Sequence, residues 1–293
     1  MGLSDKTVTR RGFVACSSAG LAAGAAGLLN SPAVFAQEAA MERKGRIKQS
    51  VCKWCYGNQP LETFAAYCAS IGIQSIELAE PQEWPVLQKH GLICAMTPSH
   101  SIGKGLNRKE NHAECLAQIR TSIEKTSEAG FPNIICFSGN RAGMDDEEGL
   151  DNCAIALKEI VGFAEQKKVT ICMELLNSKR NHRDYMCDRT HWGGALVRRV
   201  GSPNFRLLYD IYHMQVQEGD VIATIREYKD CIGHYHTAGV PGRNELDEGQ
   251  ELYYPAIMKA IVETGFTGYV GQEFVPKKDP LKSLAEAVQL CDI

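Results

Sequence analysis

Four short apolar runs in the second half of the chain each end in a side chain able to hold a divalent cation. Thr170 to Met173 runs into Glu174, Leu207 to Tyr209 into Asp210, Gly233 to Tyr235 into His236, and Val270 to Gln272 into Glu273. If the runs are strands, their two-residue alternation puts Glu174 with Cys172, Asp210 with Leu208, His236 with His234 and Glu273 with Gly271 on one face. A lone glutamate at a strand end is ordinarily solvated, and a lone histidine in an apolar run is ordinarily core. Four such residues closing four successive strands point instead to one shared site. Three carboxylates and an imidazole converging there repel one another strongly unless a cation lies among them. One divalent ion is therefore the expected cofactor, Mn²⁺ or Mg²⁺ first, with Co²⁺ or Zn²⁺ compatible with the same three oxygens and one nitrogen.

That set suits the movement of a carbonyl between neighbouring carbons. The reaction removes a proton α to the carbonyl, stabilises an enediolate, and returns a proton to the adjacent carbon. A Lewis-acid cation and two flanking carboxylates provide this, so Glu174 and Glu273 are the expected acid/base pair, with no order assigned. His213, three residues after Asp210, could hydrogen-bond a substrate oxygen. Arg243, in VPGRNE, could clamp a substrate carboxylate or hydroxyl with its planar fork, or pair with Glu245 or Asp247. Lys53 and Trp54 end the first strand candidate and His100 follows the third; pocket-lining and structural roles are both open to them.

The elements that would position these groups read as eight apolar strand candidates, at 47–54, 73–79, 92–97, 133–138, 169–175, 205–212, 232–239 and 268–274. Amphipathic stretches such as 61–72, 112–130, 150–166 and 254–265 separate them, several closing on glycine as helices do. Eight strand-helix units in about 250 residues predict an α/β fold, a (β/α)₈ TIM barrel, whose active site lies at the C-terminal ends of the strands. A doubly wound nucleotide-binding sheet is the rival. No GxGxxG or GxxxxGK[ST] follows any of the strand candidates to support it.

The 293 residues carry 32 Lys+Arg against 35 Asp+Glu, and this net charge of −3 argues against a partner held by phosphate neutralisation. Residues 1–36 stand apart: Arg10-Arg11 precede a weakly apolar run, Val14 to Leu29, and Val34 and Ala36 sit at the small-residue positions of a cleavage site. The segment resembles a twin-arginine export signal, shorter than a membrane span, and predicts a periplasmic or extracellular mature chain of residues 37–293 with net charge −5. Of the 12 cysteines, eleven fall in that mature chain, mostly singly inside apolar runs, and are expected as core residues. Cys52 and Cys55 are expected on one strand, facing opposite sides. The expected partner is a small hydroxy-carbonyl or sugar substrate; nucleic acid and a membrane span of the mature form are not expected, and a homo-oligomer is left open.

The same segments carry a resemblance. MELLNS around Glu174, LLYDIYHMQ around Asp210 and His213, HYHTAGVPGRNELDEGQELYYP from His234, and YVGQEF around Glu273 resemble the xylose-isomerase-like barrel superfamily, most closely hydroxypyruvate isomerases. The resemblance covers nearly all of 46–291. It implies a metal held by Glu174, Asp210, His236 and Glu273, with the two glutamates moving protons, and hydroxypyruvate and tartronate semialdehyde as the leading substrate pair. Bacterial hydroxypyruvate isomerases have HxQ where this chain has His234-Tyr235-His236, whereas related sugar 3-epimerases have histidine there. A keto-sugar 3-epimerase or an inosose-type dehydratase, which begin with the same proton abstraction, is the alternative enzyme. A sugar-binding protein is the non-enzymatic one. The superfamily also includes endonucleases with a three-metal, histidine-rich centre, which an acidic chain with 8 histidines does not favour.

Overall fold

The computed structural model describes residues 44–293, so the twin-arginine segment lies outside the described residues. Seven parallel strands form one curled sheet: β1 (Lys48–Cys52), β2 (Ser75–Glu77), β3 (Asn133–Cys136), β4 (Thr170–Glu174), β5 (Phe205–Asp210), β6 (Ile232–Thr237) and β7 (Tyr269–Gln272). Their order is β2-β1-β7-β6-β5-β4-β3. Around them lie α1 (Leu61–Ser70), α2 (Trp84–Lys89), α3 (His112–Glu128), α4 (Asp146–Lys167), α5 (Thr190–Val200), α6 (Ile211–Gln217), α7 (Val221–Glu227), α8 (Tyr254–Glu263) and α9 (Pro280–Cys291). The fold is an α/β barrel of the expected class.

The third expected strand, at 92–97, is not a regular one. Ile76 N donates to Ile93 O and Leu78 N to Met96 O on one side, while Thr97 N donates to Asn133 O and Ile135 N to Thr97 O on the other. Between these contacts Ala95 N donates to the Ser75 hydroxyl and Ala95 O accepts from Asn133 Nδ2, each at 2.8 Å. Side chains thus occupy the positions where ladder partners would stand, leaving isolated bridges, Ser75 to Ile93 and Thr97 to Ile134. The segment still joins the outer strands β2 and β3, and so closes the ring.

Both periodicities follow from what each element buries. β2 and β3 are buried at every residue, as strands covered by helices must be. α3 buries Cys115, Leu116, Ile119 and Ile123, a stripe at helical spacing, and Gly130 beyond its end has φ +74°, which an L side chain rarely adopts. α4 begins four residues earlier than expected, because the Asp145 carboxylate accepts from Glu147 N and Glu148 N and satisfies the first turn. The eleven cysteines among the described residues are all free, and ten are buried. One detail is corrected: Cys52 ends β1, but Cys55 lies in the 3₁₀ turn Lys53–Tyr56, since the chain bends where β1 stops. Among the described residues no helix is long and apolar enough to cross a membrane.

Candidate active site

Strand ends and register bring the four expected ligands together. Glu174 is the last residue of β4 and Asp210 of β5, His236 lies one residue before the end of β6, and Glu273 follows β7. Asp210 is the register partner of His236, and His236 of Gly271. One ligand atom from each of the four lies within 4.8 Å of the others, and all four residues are buried. Asp210 Oδ1 accepts from His213 N at 2.9 Å, capping α6 and leaving Oδ2 to the cluster. His236 Nδ1 lies 2.7 Å from Glu273 Oε2 and 3.6 Å from Glu174 Oε1. Neither Nδ1 nor that Oε2 makes a hydrogen bond. A buried imidazole nitrogen without a hydrogen bond, set among three carboxylates, fits a divalent ion.

Arg243 completes the cluster rather than pairing with Glu245 or Asp247. Its Nη2 lies 3.2 Å from Asp210 Oδ2 and 2.6 Å from Glu273 Oε2, and its Nη1 lies 2.6 Å from His213 Nε2. Glu245 instead accepts from Lys277 N and Lys278 N, and Asp247 pairs with Lys278. Arg243 has φ +60°, a left-handed conformation that costs a non-glycine residue about 1–2 kcal/mol. Its N–H donates to Gly239 O and its carbonyl accepts from Val275 N, which hold that conformation in place.

Charge is distributed unevenly over this site. Burial pushes Asp210 up to about 7, with Arg243 opposing and the charges of Glu273 and Glu174 adding. Burial also raises Glu174. It acts on Glu273 in the same sense, but the Arg243 guanidinium and His236, with the Trp54 hydrogen bond, hold Glu273 well below the ordinary carboxylate range. His213 is pushed well below its ordinary value by burial and by Arg243, so it is a neutral imidazole. Its Nδ1 faces Asn177 N at 3.2 Å and Asn177 Nδ2 at 2.5 Å, and its Nε2 faces Arg243 Nη1, so donors flank both ring nitrogens and the ring is wedged between Asn177 and Arg243.

The other expected residues divide. Trp54 stands at the mouth, half exposed, with Nε1 donating to Glu273 Oε1 and its ring 5.4 Å from the Arg243 guanidinium. Lys53 pairs with Glu83 at 2.5 Å, and His100 accepts from Phe137 N while its other nitrogen faces the carbonyls of Ser101 and Lys104. Neither joins the cluster. The sequence reading missed Asn177, which orients His213, and Glu77, which ends β2 and contacts His236 and His234. Glu77 was legible: a carboxylate closing IQSIE is the same signal that singled out Glu174 and Glu273.

Residues 65–292 match the family described as xylose isomerase-like TIM barrel, and the chain belongs to it. A human protein bearing the name of a hydroxypyruvate isomerase is 31% identical over 242 residues, 79% of this chain and 80% of its own length. The hydroxypyruvate isomerase of Escherichia coli is 39% identical over 163 residues, 54% of this chain and 61% of that one. Among solved structures, an AP endonuclease, family 2, from Brucella melitensis superposes with a TM-score of 0.73 at 21% identity, covering 82% of this chain and 98% of its own. At that identity the likeness speaks for the fold alone.

Proposed function

We propose that this chain is a divalent-metal-dependent isomerase that interconverts an α-hydroxy aldehyde and the isomeric ketone through an enediolate, with hydroxypyruvate and tartronate semialdehyde as its substrate pair. The observation that carries the reading is the convergence of Glu174, Asp210, His236 and Glu273, with His236 Nδ1 buried among them without a hydrogen bond. The names of the relatives support the isomerase class. These four residues would hold the ion, which supplies Lewis-acid polarisation of a carbonyl.

The protein's own groups do the rest. Glu174 and Glu273 both reach His236 Nδ1, at 3.6 and 2.7 Å, so one can take the α proton while the other returns a proton to the neighbouring carbon. His213, held neutral, acts on the substrate through Arg243, whose Nη1 lies 2.6 Å from its Nε2. Arg243 aims a guanidinium into the same space and suits the carboxylate of a three-carbon keto acid. The burial of the cluster keeps bulk water from the enediolate.

His236 itself favours a second reading, a keto-sugar 3-epimerase, because hydroxypyruvate isomerases of bacteria resemble this chain but carry glutamine there. The test is one panel of hydroxypyruvate, tartronate semialdehyde, keto-hexoses and inososes, assayed with Mn²⁺ and after chelation, with exchange of the α-hydrogen for solvent deuterium as readout. Isomerisation of hydroxypyruvate with exchange, lost in Glu273→Gln, is expected. C3 inversion of a keto-hexose would transfer the assignment to the epimerase, water loss from an inosose to the dehydratase, and binding without any exchange to a sugar-binding protein. We also propose export by the twin-arginine route to the periplasm or beyond. Lysine at both Arg10 and Arg11 should hold the precursor inside the cell, and normal processing of that variant would refute it.

A further inference from the structure

Glu77, at the end of β2, is fully buried beside the site and belongs to neither the proton-transfer pair nor the expected ligand set. Its carboxylate lies 2.9 Å from His236 Nε2 and 3.0 Å from His234 Nε2, and it accepts from the Ser50 hydroxyl. A carboxylate offers only acceptors, so both imidazoles present Nε2–H to it. A neutral imidazole has one ring proton. In the neutral form that a cation requires, His236 with that proton on Nε2 keeps Nδ1 bare, and Nδ1 is the atom that faces Glu174 and Glu273 without a hydrogen bond.

We propose that Glu77 is a positioning residue for the metal centre, which fixes the tautomer and ring orientation of His236 so that Nδ1 is offered to the cation. The inference rests on the metal-dependent reading above. His234 and Ser50 also hold the Glu77 carboxylate, and the two histidine rings meet edge to face, 5.2 Å apart at 85°. The carboxylate therefore cannot turn without breaking a second contact. Cys52, Glu77 and His236 also lie close enough together to bind a cation of their own. Such an ion would have to displace three donors from one buried carboxylate, so the hydrogen-bonded arrangement is the favoured one.

The test is a titration of metal-stripped full-length protein with Co²⁺ alone. In Glu77→Gln the amide has one acceptor oxygen for two Nε2–H groups, and its NH₂, facing an imidazole, moves that ring's proton to Nδ1. Co²⁺ affinity should fall about 10- to 100-fold, the usual contribution of such an outer partner. The same substitution made together with His236→Gln should cost much less than it does alone, because an amide ligand has no ring proton to place. Ser50→Ala, which leaves the carboxylate, should stay within a few-fold of wild type. Unchanged affinity in Glu77→Gln overturns the proposal, as does an equal loss in both backgrounds, which would mark mere packing. So does a second equivalent of Co²⁺ that Cys52→Ser abolishes, since Glu77 would then be a ligand. The ¹⁵N spectrum of the histidine rings in Zn²⁺-loaded wild type needs no Glu77 variant: a His236 that binds through Nε2 and keeps its proton on Nδ1 also overturns it. Wild-type protein that binds no Co²⁺ at all refutes the metal-dependent reading itself, and this inference with it.

Discussion

The indole Nε1–H of Trp54 donates to Glu273 Oε1 at 2.8 Å, so a side chain 49% exposed at the mouth orients a carboxylate that is only 4% exposed. With Oε1 held there, Oε2 is the oxygen left facing His236 Nδ1 and Arg243. Trp54→Phe keeps an aromatic wall and removes the donor. A hydrogen bond to a charged group is worth about 1.5–3 kcal/mol, so kcat should fall about tenfold or more, with KM moving less. Equal kcat in the two proteins would reduce Trp54 to a rim residue.

Metal content is the most direct check on the ligand set. Glu174→Gln, Asp210→Asn and His236→Ala each remove one of four converging donors. Elemental analysis after dialysis should find each variant depleted in divalent metal, since losing a direct ligand should weaken affinity by more than the about 10- to 100-fold that an outer partner contributes. Asp210→Asn is the cleanest of the three, because an amide oxygen can still cap α6 through His213 N and the fold should be kept. Wild-type metal content in all three would mean the site is misplaced.

What the sequence made legible, and what it did not, follows from which interactions repeat. Glu174, Asp210, His236 and Glu273 stand at strand ends, and parallel pairing carries strand ends to one rim regardless of detail, so alternation alone brought them together. The run 92–97 looked like a strand because it is apolar, but its backbone at Ala95 is satisfied by the side chains of Ser75 and Asn133, and such pairings leave no periodic trace. Arg243 was read with an even choice between substrate and its acidic neighbours. The choice turns on a left-handed residue and on a hydrogen bond from Val275 N to its carbonyl, 32 residues away, which no local pattern reports.

Glu245 ties the loop that carries Arg243 to the segment that follows Glu273. Its Oε1 accepts from Lys277 N and Lys278 N at 2.8 Å and from the Ser283 hydroxyl at 3.1 Å. Burial would raise its pKa, but these donors lower it below the ordinary value. A carboxyl group lowered in the folded state stabilises the fold above its unfolded pKa, about 4.3, and loses that contribution as pH falls through the folded value. Glu245→Gln should therefore be less stable than wild type at pH 7, by on the order of 1 kcal/mol or about 3 °C in Tm. Thermal unfolding across pH should show this gap close in acid, below about pH 4. A gap that is constant with pH would mean the carboxylate charge contributes nothing.

Gly271 is the position where one added methyl group should disturb the chemistry more than the fold. It is the register partner of His236 on β7. A Cβ there would stand 2.9 Å from His236 Cδ2 and 3.2 Å from Glu77 Oε2, both belonging to fully buried side chains that cannot move into solvent. The backbone has no left-handed φ at this residue, so the effect of Gly271→Ala is steric. Overpacking of this kind costs about 1–3 kcal/mol of stability, while a displacement of a catalytic group by about 1 Å can cost about 10²-fold in rate. Gly271→Ala should fold, lose a few degrees of Tm, and drop at least about tenfold in metal affinity and turnover as the His236 ring is pushed from its place. Gly162→Ala is the matched control: that glycine is on the exposed face of α4 with nothing within 4 Å of its Cβ position, and alanine there should leave turnover unchanged and raise stability by about 0.5–1 kcal/mol. If Gly271→Ala keeps wild-type metal affinity while losing stability, the imidazole is not held as tightly between Glu77 and the carboxylate cluster as these distances require.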